Sequence, residues 1–293
     1  MRSKLFVPAS RPELFSKAVL GPADGLSFDL EDAVREEKKA EARENLAQFL
    51  NSPQVLSSTK TMIVRVNSIE TAHFLSDLDS VVCPGVDIIN LPKPEQADDI
   101  RDAAQKIAEV ERAKGMNSDG HSPVRLLINI ESPKALRIAH ELAGADPRVM
   151  GLQLGLGDLF EPYAIDRRQV VAVQGAMFQV AMAAHEHGLK VYDGAFTNVA
   201  DREGFWQEAM LAKSLGFHGK SCIHPSQVEP ANEVFRPTDE EIEFSRKIVQ
   251  AEAKAQEDSV GAFMVEGKMI DAPFVNRAKN ILELAKQLGL IKK

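Results

Sequence analysis

The chain has 293 residues, 44% of them hydrophobic and 27% charged, which is a soluble composition with enough length for a large core; two domains or one α/β barrel are expected. A net charge of −8 argues against nucleic acid or an anionic membrane as the main partner, while leaving room for local cations that grip an anionic small molecule. Cys83 and Cys222 are far apart and outside any metal-ligand spacing, the apolar run at the start is too short for a signal peptide, and no stretch approaches the roughly 20 apolar residues of a membrane span, so a soluble cytoplasmic protein without disulfides is expected.

In chain order, short runs rich in Val, Ile and Leu alternate with amphipathic stretches of helical length. The runs predict strands over 4–8, 25–30, 62–67, 87–91, 124–130, 149–154, 189–192 and 218–223. Helices are predicted between them, over 36–50, 96–114, 133–142, 168–187 and 201–215 among others. Ser132-Pro133 reads as an N-cap and first helical residue, and Gly188 and Gly216 as helix stops. Strands and helices alternating in this way predict a closed (β/α)8 TIM barrel over residues 1–236. The absence of a GxGxxG or GxxxxGK[ST] loop weakens the dinucleotide and P-loop alternatives.

After Pro225 the alternation stops. Thr238-Asp239-Glu240-Glu241 is a capping box opening a long helix to about Glu257; Glu266-Gly267 then joins two short strands, 262–265 and 268–270, ahead of a last helix over 273–288. Residues 237–293 therefore form a helix–hairpin–helix extension, expected to act as a lid or oligomerisation arm.

Chemistry in such barrels sits at the C-terminal ends of the strands. Taken in turn, those ends carry Arg11, then Glu31 and Asp32, then Arg65, Lys93, Glu131, Asp158, Asp193 and His224. The run Asp29-Leu30-Glu31-Asp32 packs acids after an apolar strand, where they need cations, backbone donors or raised pKa values; a solvated acidic loop is the plainer alternative. Glu131 and Asp158 end adjacent strands without His or Cys nearby, a donor set suited to a hard cation such as Mg²⁺, although an arginine pair for Glu131 and a turn-capping role for Asp158 account for them equally simply. The glycines around Asp158 permit close backbone approach to a ligand. Arg65, embedded in Ile63-Val64-Arg65-Val66-Asn67, requires a partner, which is either an internal acid such as Glu31 or a substrate carboxylate. His224 reads as a hydrogen-bonded structural residue.

The same segments carry a resemblance. Arg2-Ser3-Lys4-Leu5-Phe6-Val7-Pro8 with Arg11-Pro12-Glu13, Asp29-Leu30-Glu31-Asp32-Ala33-Val34, Val64-Arg65-Val66-Asn67 and Leu91-Pro92-Lys93 resemble the citrate lyase β-subunit family. So do Ile130-Glu131-Ser132, Gly157-Asp158-Leu159, Gly219-Lys220 with Ile223-His224-Pro225, and Gly267-Lys268-Met269-Ile270-Asp271. The match runs in order over nearly the whole chain and extends to the stand-alone malyl-CoA and citramalyl-CoA lyases.

The resemblance implies a Mg²⁺-dependent enzyme that makes or breaks a carbon–carbon bond between an acyl-CoA and a 2-oxo acid. Carried over by position, it implies that Glu131 and Asp158 hold Mg²⁺ and that Arg65 binds the substrate carboxylate alongside Glu131. It also implies that Glu31 and Asp32 order water and the acid product, and that Arg11 lies near the junction of CoA and oxo acid. Asp271 is implied as the acid that protonates the thioester enolate, reaching the site from a neighbouring subunit of a trimer or hexamer; its place before Ala272-Pro273 also suits a helix N-cap. A malyl-CoA thioesterase or a malate-synthase-like activity is an alternative on the same site. A β subunit dependent on an acyl-carrier partner is another, against which the Gly267–Asp271 segment is read, because that segment is associated with stand-alone CoA enzymes. An aldolase acting on free pyruvate is a third.

Overall fold

The apolar runs become strands β1 Ser3–Pro8, β2 Gly25–Asp29, β3 Thr61–Arg65, β4 Ile88–Leu91, β5 Arg125–Ile130, β6 Val149–Leu154, β7 Lys190–Ala195 and β8 Gly219–Cys222. Each is parallel to the next, and β8 returns to β1 through Ser3↔Lys220 and Leu5↔Cys222, so the sheet closes as a TIM barrel. The computed structural model describes residues 1–116, 122–257 and 261–292. By contacts the chain divides into two units, Met1–Phe235 and Arg236–Lys293. Among the described residues no helix is long and apolar enough to cross a membrane.

Alternation along each strand sorts the barrel into layers. Leu26 and Phe28 of β2 face the surrounding helices and join the main apolar core, whereas Ile63, Ile88, Leu127 and Tyr192, from four strands, form a separate cluster that closes the inside of the barrel. Above that apolar floor lies a polar layer. Lys4 donates to Asn90 Oδ1 and Gln153 Oε1, Asn90 Nδ2 donates to Asn129 Oδ1 at 2.7 Å, and Ser221 reaches Gln153 Oε1 at 3.4 Å. Burial pushes the Lys4 amine well below the ordinary lysine range, and the nearby Arg65 charge acts in the same direction.

Several helix boundaries follow local chemistry. Ser132 Oγ accepts from Ala135 N at 3.1 Å and Asp201 Oδ1 accepts from Gly204 N at 2.8 Å, each satisfying an open helix N-terminus. Gly188 and Gly216 adopt φ of +64° and +87° after their helices, as stops do. Two expectations change. The helix expected over 133–142 is two short ones, Pro133–Arg137 and Ala139–Ala143, and β7 runs on through Asp193 to Ala195.

That longer β7 alters one residue of the expected rim. Tyr192 points into the barrel, so Asp193 points outward to the helix layer, where it pairs with Lys220. Lys220 Nζ also lies 2.6 Å from Glu208 on helix Arg202–Ser214, and both Lys220 and Asp193 are fully buried. Despite burial, the two carboxylates raise the Lys220 amine above its ordinary value.

In the second unit, Thr238 and Glu241 form the expected capping box, with bonds of 2.9 and 3.1 Å, at the start of helix Asp239–Glu257. The hairpin strands β9 Phe263–Val265 and β10 Lys268–Ile270 precede helix Ala272–Gln287. Ile248, Val265, Ile270, Val275 and Ala278 make this unit's own small core.

The buried triad sets a prediction. Lys220→Met leaves buried Asp193 without its cation, beside a Glu208 that keeps only the looser contact of Arg167 at 3.4 Å, and the barrel is expected to lose about 3–5 kcal/mol of stability in denaturant titration. A loss below about 1 kcal/mol would show that the charges relax into water.

Candidate active site

The mouth of the barrel at the C-terminal ends of the strands holds a cavity of ≈ 330 Å³ whose walls include Arg65, Glu131, Asp158 and Arg167. Asp29, which ends β2 on the same face as Ser27, is the anchor. Its carboxylate accepts from Arg65 Nε at 2.8 Å and Nη2 at 2.7 Å, and from the backbone N–H groups of Glu31 and Ala33. Burial alone would raise this carboxyl, but the guanidinium and the two backbone donors hold it below its ordinary value. In the sequence Asp29 is one acid of the cluster, and its spacing alone gives it no role.

Arg65 Nη1 lies 2.8 Å from Glu31 Oε2 and 3.5 Å from Asp32 Oδ2. The internal partner expected for Arg65 is thus present, with Asp29 as the closer one. All three guanidinium nitrogens face these acids: Nε and Nη2 donate to Asp29, and Nη1 lies against Glu31 and Asp32, which leaves the second Nη2 N–H for a ligand. Glu31 is buried and also accepts from Lys93 Nζ at 2.9 Å, whereas Asp32 is exposed. The loop bearing both acids is tied down by buried Lys39, whose amine donates to the carbonyls of Leu30 and Glu31 at 2.9 Å and to Asn67 Oδ1 at 2.6 Å.

Lys93 adopts φ +53°, a left-handed conformation costly for a residue with a side chain. In return its backbone N–H donates to Glu131 Oε1 at 2.9 Å while its amine reaches Glu31. Glu131 is buried at the end of β5, with Asn129 Nδ2 3.4 Å from its other oxygen. Gly155 packs directly beneath it; a Cβ there would meet the Glu131 side chain at 2.7 Å. That glycine therefore makes room for Glu131. Burial, joined by the charges of Glu31 and Asp158, pushes the Glu131 carboxyl up to about 7.

Asp158, on the short helix Leu156–Phe160 after β6, lines the same cavity. The structure thus gathers Glu31, Asp32, Arg65, Glu131 and Asp158 at one rim and adds Asp29, Lys93 and Arg167. Arg11, in the loop after β1, is exposed and paired with Glu13. His224 is exposed and caps the turn Pro225–Gln227 by accepting from Ser226 N, a structural role. Asp271 occupies the backbone N-cap position of helix Ala272–Gln287, but its side chain makes no capping hydrogen bond, and its Oδ1 is buried without a partner. Helix capping does not account for that carboxylate.

A pH dependence follows from Glu131. A carboxyl raised from 4.5 to about 7 favours the fold below pH 4.5 and withdraws that support as pH rises through 7. In metal-free buffer, Glu131→Gln is expected to gain on the wild type as pH rises from about 5 to 8, by up to roughly 3 kcal/mol. Denaturant midpoints across that range test it, and parallel curves for the two proteins would contradict it.

A profile of the HpcH/HpaI aldolase/citrate lyase family matches residues 2–225. The citrate lyase subunit beta of Haemophilus influenzae is 37% identical over 286 residues, covering 97% of each chain. The L-malyl-CoA/beta-methylmalyl-CoA lyase of Cereibacter sphaeroides is 31% identical over 309 residues, covering 98% of this chain and 95% of its own. Among solved structures, the protein CitE from Mycobacterium tuberculosis in complex with magnesium, acetoacetate and coenzyme A superposes with a TM-score of 0.74 at 28% identity, covering 97% of this chain and 99% of that one. By its barrel and by these matches, the chain belongs to the HpcH/HpaI aldolase/citrate lyase family.

Proposed function

We propose that this protein is a Mg²⁺-dependent carbon–carbon lyase that splits a 3-hydroxyacyl-CoA, such as citramalyl-CoA, malyl-CoA or citryl-CoA, into an acyl-CoA and a 2-oxo acid, or joins them in reverse. The observation that carries the reading is the acid excess around Glu131. Asp29, Glu31, Asp32, Glu131 and Asp158 crowd a rim where Arg65 and Lys93 are the cations paired with them. A hard divalent cation relieves that excess and favours the ionised form of Glu131. The donors available are carboxylate oxygens, and among the described residues no group of three or more His, Cys, Asp and Glu forms a cage. Two protein carboxylates, Glu131 and Asp158, with remaining positions left to water and substrate oxygens, suit Mg²⁺. When bound, the ion supplies Lewis-acid polarisation of the substrate's oxygens.

The chain's own residues then divide the work. Arg65 grips the carboxylate beside the reacting carbon, and Glu31 and Asp32 order water and the acid product. The substrate hydroxyl gives its proton to this acid cluster as the ketone forms. The carbon–carbon bond breaks, and its electron pair passes to the α-carbon of the thioester. Asp271 donates the proton that converts the resulting enolate to the acyl-CoA. Its unpartnered Oδ1 supports this role over helix capping. A homo-oligomer in which Asp271 serves a neighbouring barrel agrees with helix Val170–Glu186, which exposes Val171, Phe178 and Met182 and carries no charge before Glu186.

A second reading, an acyl-carrier-dependent citrate lyase β subunit, is favoured by the 37% identity to a citrate lyase subunit beta. The alignment to that subunit covers 97% of both chains and so extends into the tail that carries the Gly267–Asp271 segment. Supplying the same hydroxyacyl group on CoA and on an acyl-carrier protein separates the two readings.

Turnover of the CoA thioester with oxo-acid release and no free CoA is expected; free CoA would instead indicate a thioesterase or synthase. Glu131→Ala should abolish both turnover and Mg²⁺-dependent thermal stabilisation with the fold retained, and normal Mg²⁺ dependence in that variant would sink the assignment. Arg65→Lys should weaken oxo-acid binding about tenfold or more, since an ammonium cannot replace the guanidinium fork.

The assembly has its own test. Inactive Asp271→Asn and inactive Glu131→Ala subunits, dissociated and reassembled together, should recover part of the activity. No recovery in verified mixed oligomers would mean that Asp271 serves its own barrel.

A further inference from the structure

Arg167 is the cation of the cavity that neither the sequence reading nor the proposed chemistry uses. It follows β6, lines the cavity wall, and its side chain is only 19% exposed. Nη2 donates to the carbonyl of Ala195, at the end of β7, at 3.0 Å and to Glu208 Oε1 at 3.4 Å. The same Glu208 oxygen is held more closely by Lys220, at 2.6 Å. Arg167 is therefore the looser partner of that carboxylate. Its Nε and Nη1 carry three N–H groups that make no hydrogen bond among the described residues. Arg65, by contrast, has all three of its guanidinium nitrogens against internal acids.

The ring order gives these two arginines a geometric relation. Arg65 ends β3 and Arg167 is fastened to the end of β7, four strands away in an eight-strand ring, so they occupy opposite walls. Glu131 and Asp158, from β5 and the turn after β6, line the wall between them. A cavity of ≈ 330 Å³ with an arginine on each side is built for a small molecule anionic at both ends.

We propose that Arg167 is a specificity-determining residue that binds a second carboxylate, at the end of the substrate remote from Arg65, so that the cavity selects a dicarboxylic over a monocarboxylic 2-oxo acid. This rests on the 2-oxo-acid reading above. Two roles are thereby separated: Arg65 fixes the carboxylate common to all 2-oxo acids, and Arg167 reads what lies beyond the ketone. The Lys220–Glu208 pair holds Arg167 by one edge and leaves its free donors to the cavity.

Calorimetric titration of the full-length protein with fresh oxaloacetate and with pyruvate, each with Mg²⁺, tests this in the wild type, Arg167→Met and Arg167→Lys. The wild type should bind oxaloacetate roughly 10- to 100-fold more tightly than pyruvate, the range of hydrogen bonds to a charged group. Arg167→Met should lose that margin while binding pyruvate as the wild type does, and Arg167→Lys should keep part of it. Unchanged pyruvate binding reports an intact site. Equal losses for both acids would make Arg167 structural, and an unaltered preference for oxaloacetate in Arg167→Met would place its recognition elsewhere; either overturns the proposal and leaves the lyase reading standing. If the wild type binds neither acid, both fall.

Discussion

The bidentate pair between Arg65 and Asp29 is the contact on which the rest of the site depends. It sets an arginine at the end of a strand whose other inward neighbour, Ile63, belongs to the apolar floor. A guanidinium there is tolerable only because Asp29 takes two of its donors and is itself fixed by two backbone N–H groups of the following loop. Those backbone bonds also shape the turn that delivers Glu31 to Arg65 and Lys93. Losing Asp29 would therefore release a charge and a loop together.

From this pair the polarity extends downward. Asn129 reaches Glu131 above and Asn90 at its side, and Asn90 reaches Lys4. An apolar barrel core would have been simpler to stabilise. A connected polar layer fixes the orientation of a buried carboxylate that would otherwise rotate, at the cost of a lysine amine held far from water. Phe6 offers its ring to both cations, its centroid 4.3 Å from Lys4 Nζ and 5.2 Å from the Arg65 guanidinium carbon.

Much of this was legible in the chain, and the omissions have physical reasons. Apolar runs at regular spacing gave the eight strands, because parallel strands buried on both faces read as continuous hydrophobic segments. Strand ends located Glu31, Arg65, Glu131 and Asp158 on one rim. Parity within β7 was the signal passed over for Asp193, since Tyr192 inward means Asp193 outward. Parity also marks Asp29, two residues from Ser27, and Lys4 breaks an apolar strand just as Arg65 does. No comparable signal existed for Arg167, which sits in an irregular turn and reaches the cavity only through tertiary contacts with Ala195 and Glu208. Nor could spacing show that Gly155 makes room for Glu131.

The site is locally unfavourable in several independent ways. Glu131 and Glu31 are both raised by burial, Lys93 holds a strained φ, and Arg167 keeps unspent donors in a half-closed cavity. The electrostatic costs among these share one direction, because a cation and an anionic ligand arriving together would reduce them. A cation lowers the penalty of ionising Glu131, and an anion between the arginines uses donors that the protein leaves open. The barrel can carry the burden because its stability is generated elsewhere, in the apolar shell between strands and helices. Fold and chemistry are thus separated by layer: the shell stabilises, the polar layer orients, and the rim remains incomplete until it is filled.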